Sequence, residues 1–457
     1  MTRFTKIIAS IGPSCESVGC LKKMISSGVN VCRMNFSHDT GEAQGKKIDA
    51  IRKIAAELGT NVGILVDLQG PKHRIGNFKT DEKYPISPGQ TFTFDSDPAP
   101  GNSERVYLPD ADVMRSLRVG QRILLNDGKI EMQVTEILPN AVKARVIRGT
   151  EIWSRRGFNL PDTVIDTSVL TEKDMEDLDY ALTKKPDWVA VSFVQRPEDI
   201  SQVRDFITAR TDRPVKIMAK IERKSAVEQI DEIASVADGI MIARGDLAVE
   251  LPYEQVPAIS RHIIRECRRL NRPVVMATQM LGSMVDNEFP TRAEISDVAN
   301  AAYLRVDSTM TSEETTIGTN PVNVIETMNK ILTYTDSDAM EHSGDWVRTE
   351  KSFDENDWSR SISSMAYLNK ANAIIIFARD TESATDISCR RPDTKIIAVC
   401  DNEIVANQLC LVRGVFPVYM PDSFAQRDAI AVAHGFKITK GNIVIVDGEK
   451  VSLFNLD

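Results

Sequence analysis

Long apolar runs are missing from this chain: nowhere in its 457 residues do about 18 apolar residues follow one another, so no membrane span and no membrane partner are expected. A positive charge excess is missing too. The formal net charge of −9 disfavours broad attraction to nucleic acid or anionic lipid, so an anionic ligand must be met by a local basic pocket. The seven cysteines (Cys15, Cys20, Cys32, Cys267, Cys389, Cys400, Cys410) are odd in number, scattered and without C-x-x-C spacing. That pattern argues against both a disulfide framework and a zinc site, and it fits a reducing compartment. No apolar secretory segment precedes the first strand, no internal repeat is visible, and no tract is of low complexity. The expected location is therefore cytoplasmic.

What is present suits a globular protein: 42% hydrophobic and 26% charged residues, in a chain long enough for two or three cores. Eight apolar runs of strand length alternate with helical-period stretches: Thr5 to Ser10, Val29 to Asn35, Val62 to Asp67, Trp188 to Phe193, Val215 to Ile221, Gly239 to Ala243, Pro273 to Thr278 and Val306 to Thr311. Buried parallel strands carry continuous apolar runs, and eight of them separated by helices predict an α/β fold of the (β/α)8 TIM-barrel kind. Helix signals lie between them. Thr171 is placed to cap Met175 to Leu182, and Gly28 to close the helix holding Leu21, Met24 and Ile25.

From about residue 70 to 166 the rhythm changes to short alternating strands with frequent Gly and Pro. Asn126-Asp127-Gly128 between two apolar triplets is a hairpin signal, so a small β-barrel-like lid domain is expected on the loop after the third strand. The polar stretch from Ser337 to Trp358 is expected to be a linker with a partly helical end. Beyond it, Ala373 to Phe377, Lys395 to Val399, Val415 to Tyr419 and Asn442 to Val446 predict a C-terminal α/β domain. The expected division is barrel 1–69, lid 70–166, barrel 167–338 and C-terminal domain 339–457.

Active sites of such barrels lie at the C-terminal ends of the strands. The second strand ends in Arg33, Asn35, Ser37 and His38, and the third in Asp67. The fifth carries Lys220 and Glu222, the sixth Arg244, Gly245 and Asp246, the seventh Thr278 and Gln279, and the eighth Ser312 and Glu314. Glu222 and Asp246, from neighbouring strands, suit one hard cation completed by substrate and water oxygens. The alternative is a structural ion pair with Lys220 or Arg244. Lys220 leaves the same face of its strand as Glu222, where it suits charge neutralisation of a transferring phosphoryl group. Its alternative is a Schiff-base or structural lysine. Gly245 removes bulk before Asp246 at the start of a short helix. Thr278 either relays a proton or is a hydrogen-bonded structural group.

Taken together, Arg33-Met34-Asn35-Phe36-Ser37-His38, Lys220-Ile221-Glu222, Ala243-Arg244-Gly245-Asp246-Leu247, Ala277-Thr278-Gln279-Met280 and Pro290-Thr291-Arg292-Ala293-Glu294 resemble the pyruvate kinase family over nearly the whole chain. The resemblance implies phosphoryl transfer from phosphoenolpyruvate to ADP, then protonation of the enolate to pyruvate. It implies Glu222 and Asp246 as ligands of magnesium, or of manganese in its place, and Lys220 as the group that stabilises the phosphoryl. Arg33 would bind the phosphate and the Ala243 to Asp246 backbone the carboxylate. Thr278 would lie near the protonation face, while Asn35, His38, Arg74 and Arg156 would contact ADP. A homotetramer is implied by analogy, through the segment around Arg292.

Two departures stand out from the family pattern. Many pyruvate kinases hold potassium on equivalents of Asn35, Ser37 and Asp67 and on a threonine after that Asp, with a glutamate slightly downstream. This chain has Leu68 and Lys72 there, so it resembles the potassium-independent branch, with the Lys72 ammonium supplying the cation's charge. The alternative is a solvated lysine on the lid hinge. The Ser/Thr/Gly-rich phosphate loop of members activated by fructose 1,6-bisphosphate becomes Asp380-Thr381-Glu382-Ser383-Ala384-Thr385, and Asp447-Gly448-Glu449-Lys450-Val451 runs straight into a strand. Two acids at a phosphate site repel it, so no such activation is expected. His73 before Arg74, and Arg156 where lysine is more usual, are smaller departures. The rival readings are a metal-dependent pyruvate aldolase or related lyase, which has no need of Arg33 or a nucleotide edge, and a non-catalytic metabolite-binding descendant.

Overall fold

A computed structural model describes residues 2–80, 82–163, 165, 168–341, 357–421 and 426–456. The eight apolar runs close into one parallel barrel, in the order first, eighth, seventh, sixth, fifth, fourth, third, second. The strands are Lys6–Ser10, Val31–Asn35, Gly63–Asp67, Trp188–Val191, Lys216–Ile221, Gly239–Ala243, Val274–Ala277 and Ser308–Thr311. Their side chains are almost all buried, as continuous apolar runs require when helices cover the outside and packed side chains fill the inside. The expected caps form: Thr171 makes a capping box with Asp174, and Gly28 adopts φ 118° just beyond helix Val18–Ser26.

Between the third and fourth barrel strands the chain builds a six-stranded sheet and a two-stranded ribbon around a separate core that includes Phe92, Phe94 and Met132. Asn126 and Asp127 both take positive φ (51° and 53°) between strands Arg122–Leu125 and Ile130–Leu138, as the tight hairpin demands. The C-terminal unit is a five-stranded sheet whose last strand, Lys450–Leu456, pairs antiparallel with Gly441–Asp447.

One expectation needs correction. Ser337 to Glu341 is not linker but the last part of helix Pro321–Glu341, and the expected 338/339 boundary falls inside that helix. Neighbours hold these polar residues in place: Tyr303 donates to Asp338 at 2.6 Å, and the buried Arg305 donates to the Ala339 carbonyl. The rest of the expected linker, up to residue 356, lies outside the described residues.

Candidate active site

At the C-terminal end of the barrel, strand ends surround a cavity of about 220 Å³ whose wall includes Arg33, His38, Lys72, Lys220, Glu222 and Asp246. Lys220 lies at its floor. Its ammonium donates to Ser192 Oγ at 2.6 Å and forms ion pairs with Glu222 Oε1 at 3.1 Å and Asp67 Oδ1 at 3.2 Å. Burial alone would pull the Lys220 pKa down, but Asp67 and Glu222 outweigh it and hold the group above its ordinary value. The site thus keeps a charged ammonium out of bulk water.

Asp67 is fixed from its other side by Arg33, whose Nε donates to Asp67 Oδ2 at 2.7 Å while Nη1 donates to Ser10 Oγ at 2.8 Å. Burial pushes the Asp67 carboxyl up, yet Lys220 and Arg33 hold it below the usual range. Glu222 behaves oppositely. Burial raises it, the Asp246 charge raises it further, and Lys220 offsets this only in part. Glu222 Oε2 accepts the Phe193 N–H at 2.7 Å, so its orientation is set by the end of the fourth strand.

The donor set suits a hard divalent cation: two carboxylates from adjacent strands, one of them short of positive partners. Among the described residues no cluster of three or more His, Cys, Asp or Glu forms a self-sufficient metal cage, so further oxygens would have to come from substrate and water. Asp246 is half-exposed, and the Lys72 ammonium is 3.6 Å from its Oδ1.

Asp246 rides on helix Arg244–Glu250, which starts where the sixth strand ends. The Gly245 N–H donates to Thr278 Oγ1 at 2.9 Å, and that hydroxyl donates to the Ala277 carbonyl at 2.7 Å. Thr278 adopts φ 68°, unusual for a β-branched residue and sustained only where the surroundings over-determine it. The Arg244 side chain turns away, to Asp297 at 2.7 Å and to the carbonyls of Ala277 and Thr278, and of the expected carboxylate-binding segment Ala243 to Asp246 only Asp246 lines the cavity. Arg244 pairs with neither Glu222 nor Asp246.

Asn35, Ser37, His38 and Arg74 line the same cavity, whereas Arg156 does not. Arg156 lies on the lid, over the Trp153 ring at 5.0 Å, with its Nε on the Ser154 carbonyl. Lys72 shares the cavity with Asn35 and Ser37 but pairs with Asp246 rather than Asp67. Ser312 and Glu314 are structural: Glu314 Oε2 accepts the Ser312 N–H at 2.6 Å and Oε1 the Leu281 N–H. Sequence reading passed over Ser192 and Ser10. Both close barrel strands, so the rule that strand ends carry the chemistry pointed to them, although neither has a charge to draw the eye. It also passed over the lid anchor, where Asn159 Nδ2 donates to the buried Glu250 at 3.1 Å.

Fold and site define a (β/α)8 barrel with a buried ammonium and a pair of carboxylates at its strand ends. Two family descriptions match the chain, "Pyruvate kinase, barrel domain" over residues 2–325 and "Pyruvate kinase, alpha/beta domain" over residues 357–454. A pyruvate kinase of Methylorubrum extorquens is 39% identical over 98% of this chain and 94% of its own length. Pyruvate kinase 2 of a Synechocystis species is 37% identical over 99% of this chain and 76% of its own. A crystal structure of a pyruvate kinase from Cryptosporidium parvum superposes with a TM-score of 0.92 at 32% identity, covering 100% of this chain and 96% of that one. The chain belongs to the pyruvate kinase family and is a phosphotransferase. No helix among the described residues is long and apolar enough to cross a membrane.

Proposed function

We propose that the enzyme transfers the phosphoryl group of phosphoenolpyruvate to ADP and protonates the resulting enolate to pyruvate. The bond from phosphorus to the enol oxygen breaks, a bond from phosphorus to the terminal ADP oxygen forms, and a proton adds to the methylene carbon. The observation that carries this reading is the Lys220 ammonium, kept charged at the floor of a cavity that also holds Arg33, Glu222 and Asp246. A transferring phosphoryl needs little beyond position and compensating charge, and these residues supply both.

Arg33, braced by Asp67 and Ser10, presents its remaining edge to the phosphate. The N–H groups at the start of helix Arg244–Glu250 face the substrate carboxylate, and Gly245 leaves room there: the nearest atom an added Cβ would meet is Thr278 Oγ1, at 3.6 Å. Glu222 and Asp246 would hold magnesium, or manganese in its place, which when bound screens the phosphate and carboxylate charges from these acids. Thr278 holds a hydroxyl beside the backbone that binds the carboxylate, where it orients the proton donor. Asn35, His38 and Arg74 meet the ADP phosphates from the cavity wall, and Arg156 reaches them only if the lid moves.

Lys72 lines the same cavity as Asn35 and Ser37, which supports activity without potassium. In the C-terminal sheet, Asp380 Oδ1 accepts the N–H groups of Glu382 and Ser383, which opens the following helix; a phosphate there would need those donors. This supports the absence of activation by fructose 1,6-bisphosphate. Phe289, just before helix Arg292–Tyr303, and Ile295 on it are exposed, which supports a homotetramer built through that flank. The test is pyruvate formation from phosphoenolpyruvate and ADP with magnesium, in assays with and without potassium and the sugar bisphosphate. Turnover unchanged by either addition is expected. No pyruvate under any condition would overturn the reading and move weight to a lyase or a non-catalytic binder.

A further inference from the structure

On a chain with a net charge of −9, one concave surface far from the strand-end site is basic. It lies at the opposite end of the barrel, where the segment after helix Glu172–Thr183 faces helix Glu403–Leu409 of the C-terminal unit. A cavity of about 420 Å³ opens there, with Arg52, Lys184, Lys185 and Arg213 set against Asp49 and Glu403.

Depth matters more than the count of four cations to two acids. The guanidiniums of Arg52 and Arg213 form the floor and share one fully buried carboxylate, Asp187, at 2.7 and 2.9 Å. One carboxylate between two guanidiniums leaves a positive charge uncompensated beneath the cavity. Burial pulls the Arg213 pKa down, the Arg52 charge lowers it further, and Asp187 with Glu403 restores it only in part. The two acids lie at the exposed rim, where water and salt screen them, and Asp49 is already engaged by Lys184 at 2.6 Å. Arg213 donates through Nε and Nη2, to the Pro186 carbonyl and Asp187, which leaves Nη1 without a protein acceptor among the described residues. The Lys185 side chain likewise has none.

We propose that this cavity is a second ligand site, selective for a multivalent oxyanion, with Arg213 and Lys185 as its principal donors and Arg52 as its fixed charge. Phosphate-bearing metabolites and small polycarboxylates share the required chemistry, since both offer several anionic oxygens to a guanidinium fork and an ammonium. The site does not depend on the proposed reaction, because none of its residues touches the catalytic cavity.

The test is titration calorimetry on the full-length protein at low ionic strength, with inorganic phosphate in one arm and citrate in the other. Wild type, Arg33→Met, Arg213→Gln and Lys185→Gln are compared. Arg213→Gln leaves Asp187 paired one-to-one with Arg52, and Lys185 is exposed, so both cavity variants keep the fold. Saturable binding is expected in wild type and in Arg33→Met, weakened about tenfold in Arg213→Gln and measurably in Lys185→Gln, as loss of a charged hydrogen bond requires. The arm that binds more tightly identifies the class of anion. Equal affinity in all four proteins, binding lost only in Arg33→Met, or no heat from either anion would each overturn the proposal.

Discussion

Replacing Lys220 by methionine removes one charge while keeping most of the side-chain volume. An ammonium about 3 Å from a phosphoryl oxygen, at an effective dielectric constant of about 20, is worth about 5 kcal/mol, which corresponds to about 10⁴-fold in rate. Contributions of arginine fingers, about 10³ to 10⁵, bracket this figure. The fold should survive the change, because Asp67 keeps Arg33 at 2.7 Å and Glu222, already raised by burial, can take up a proton. The assay is steady-state pyruvate formation, with far-ultraviolet circular dichroism and a thermal melt to show that the variant is folded. The expected outcome is a loss of kcat between about 10³- and 10⁵-fold with a much smaller change in KM for phosphoenolpyruvate. A folded variant that kept a tenth or more of wild-type turnover would refute the charge-neutralising role, and with it the assignment of the cavity floor.

Ser192→Ala removes the hydroxyl that accepts a hydrogen bond from the Lys220 ammonium. It should lower kcat by about tenfold, the worth of one charged hydrogen bond, with KM for phosphoenolpyruvate nearly unchanged; an equal rise in KM would place Ser192 in substrate binding instead. Lys72→Glu should make turnover depend on added potassium, and potassium-blind activity in that variant would sink the charge-substitution idea. Lys6, fully buried against the Val415 carbonyl and the Phe416 ring, has its pKa pushed down to about 7 by burial. Between about pH 7 and the unfolded-chain value of about 10.4 the unfolded state binds the extra proton, so stability should rise with pH across that window. Denaturant titrations of wild type and Lys6→Met at pH 7 and pH 10 check this: the stability of wild type minus that of the variant should rise with pH, and a constant difference would contradict the shift.

Much of the barrel was legible because a strand buried on both faces cannot hide its pattern. Gly63 to Asp67 and Gly239 to Ala243 carry continuous apolar runs, and the polar residues that end or follow them, Asp67 and Asp246, fall where the fold places its chemistry. Lys220 and Glu222 were legible for the same reason, two residues apart on one strand face. Partners that depend on three-dimensional approach were not. That Lys72 meets Asp246, or that Arg156 stands off over Trp153, depends on how the lid sits on the barrel, and no local spacing encodes it. The end of helix Pro321–Glu341 was missed because its polar residues resemble linker until Tyr303 and Arg305 are seen against them. Ser192 was missed because a small hydroxyl after an apolar run gives no charge signal, though its place at a strand end was visible.

The most direct test of the central claim is pyruvate formation from phosphoenolpyruvate and ADP by wild type and Glu222→Ala, side by side across a magnesium titration. The account predicts robust turnover in wild type, and in the variant a kcat lower by at least about a hundredfold that extra magnesium does not restore. Comparable turnover in the two proteins would contradict the carboxylate pair as the metal-holding heart of the site.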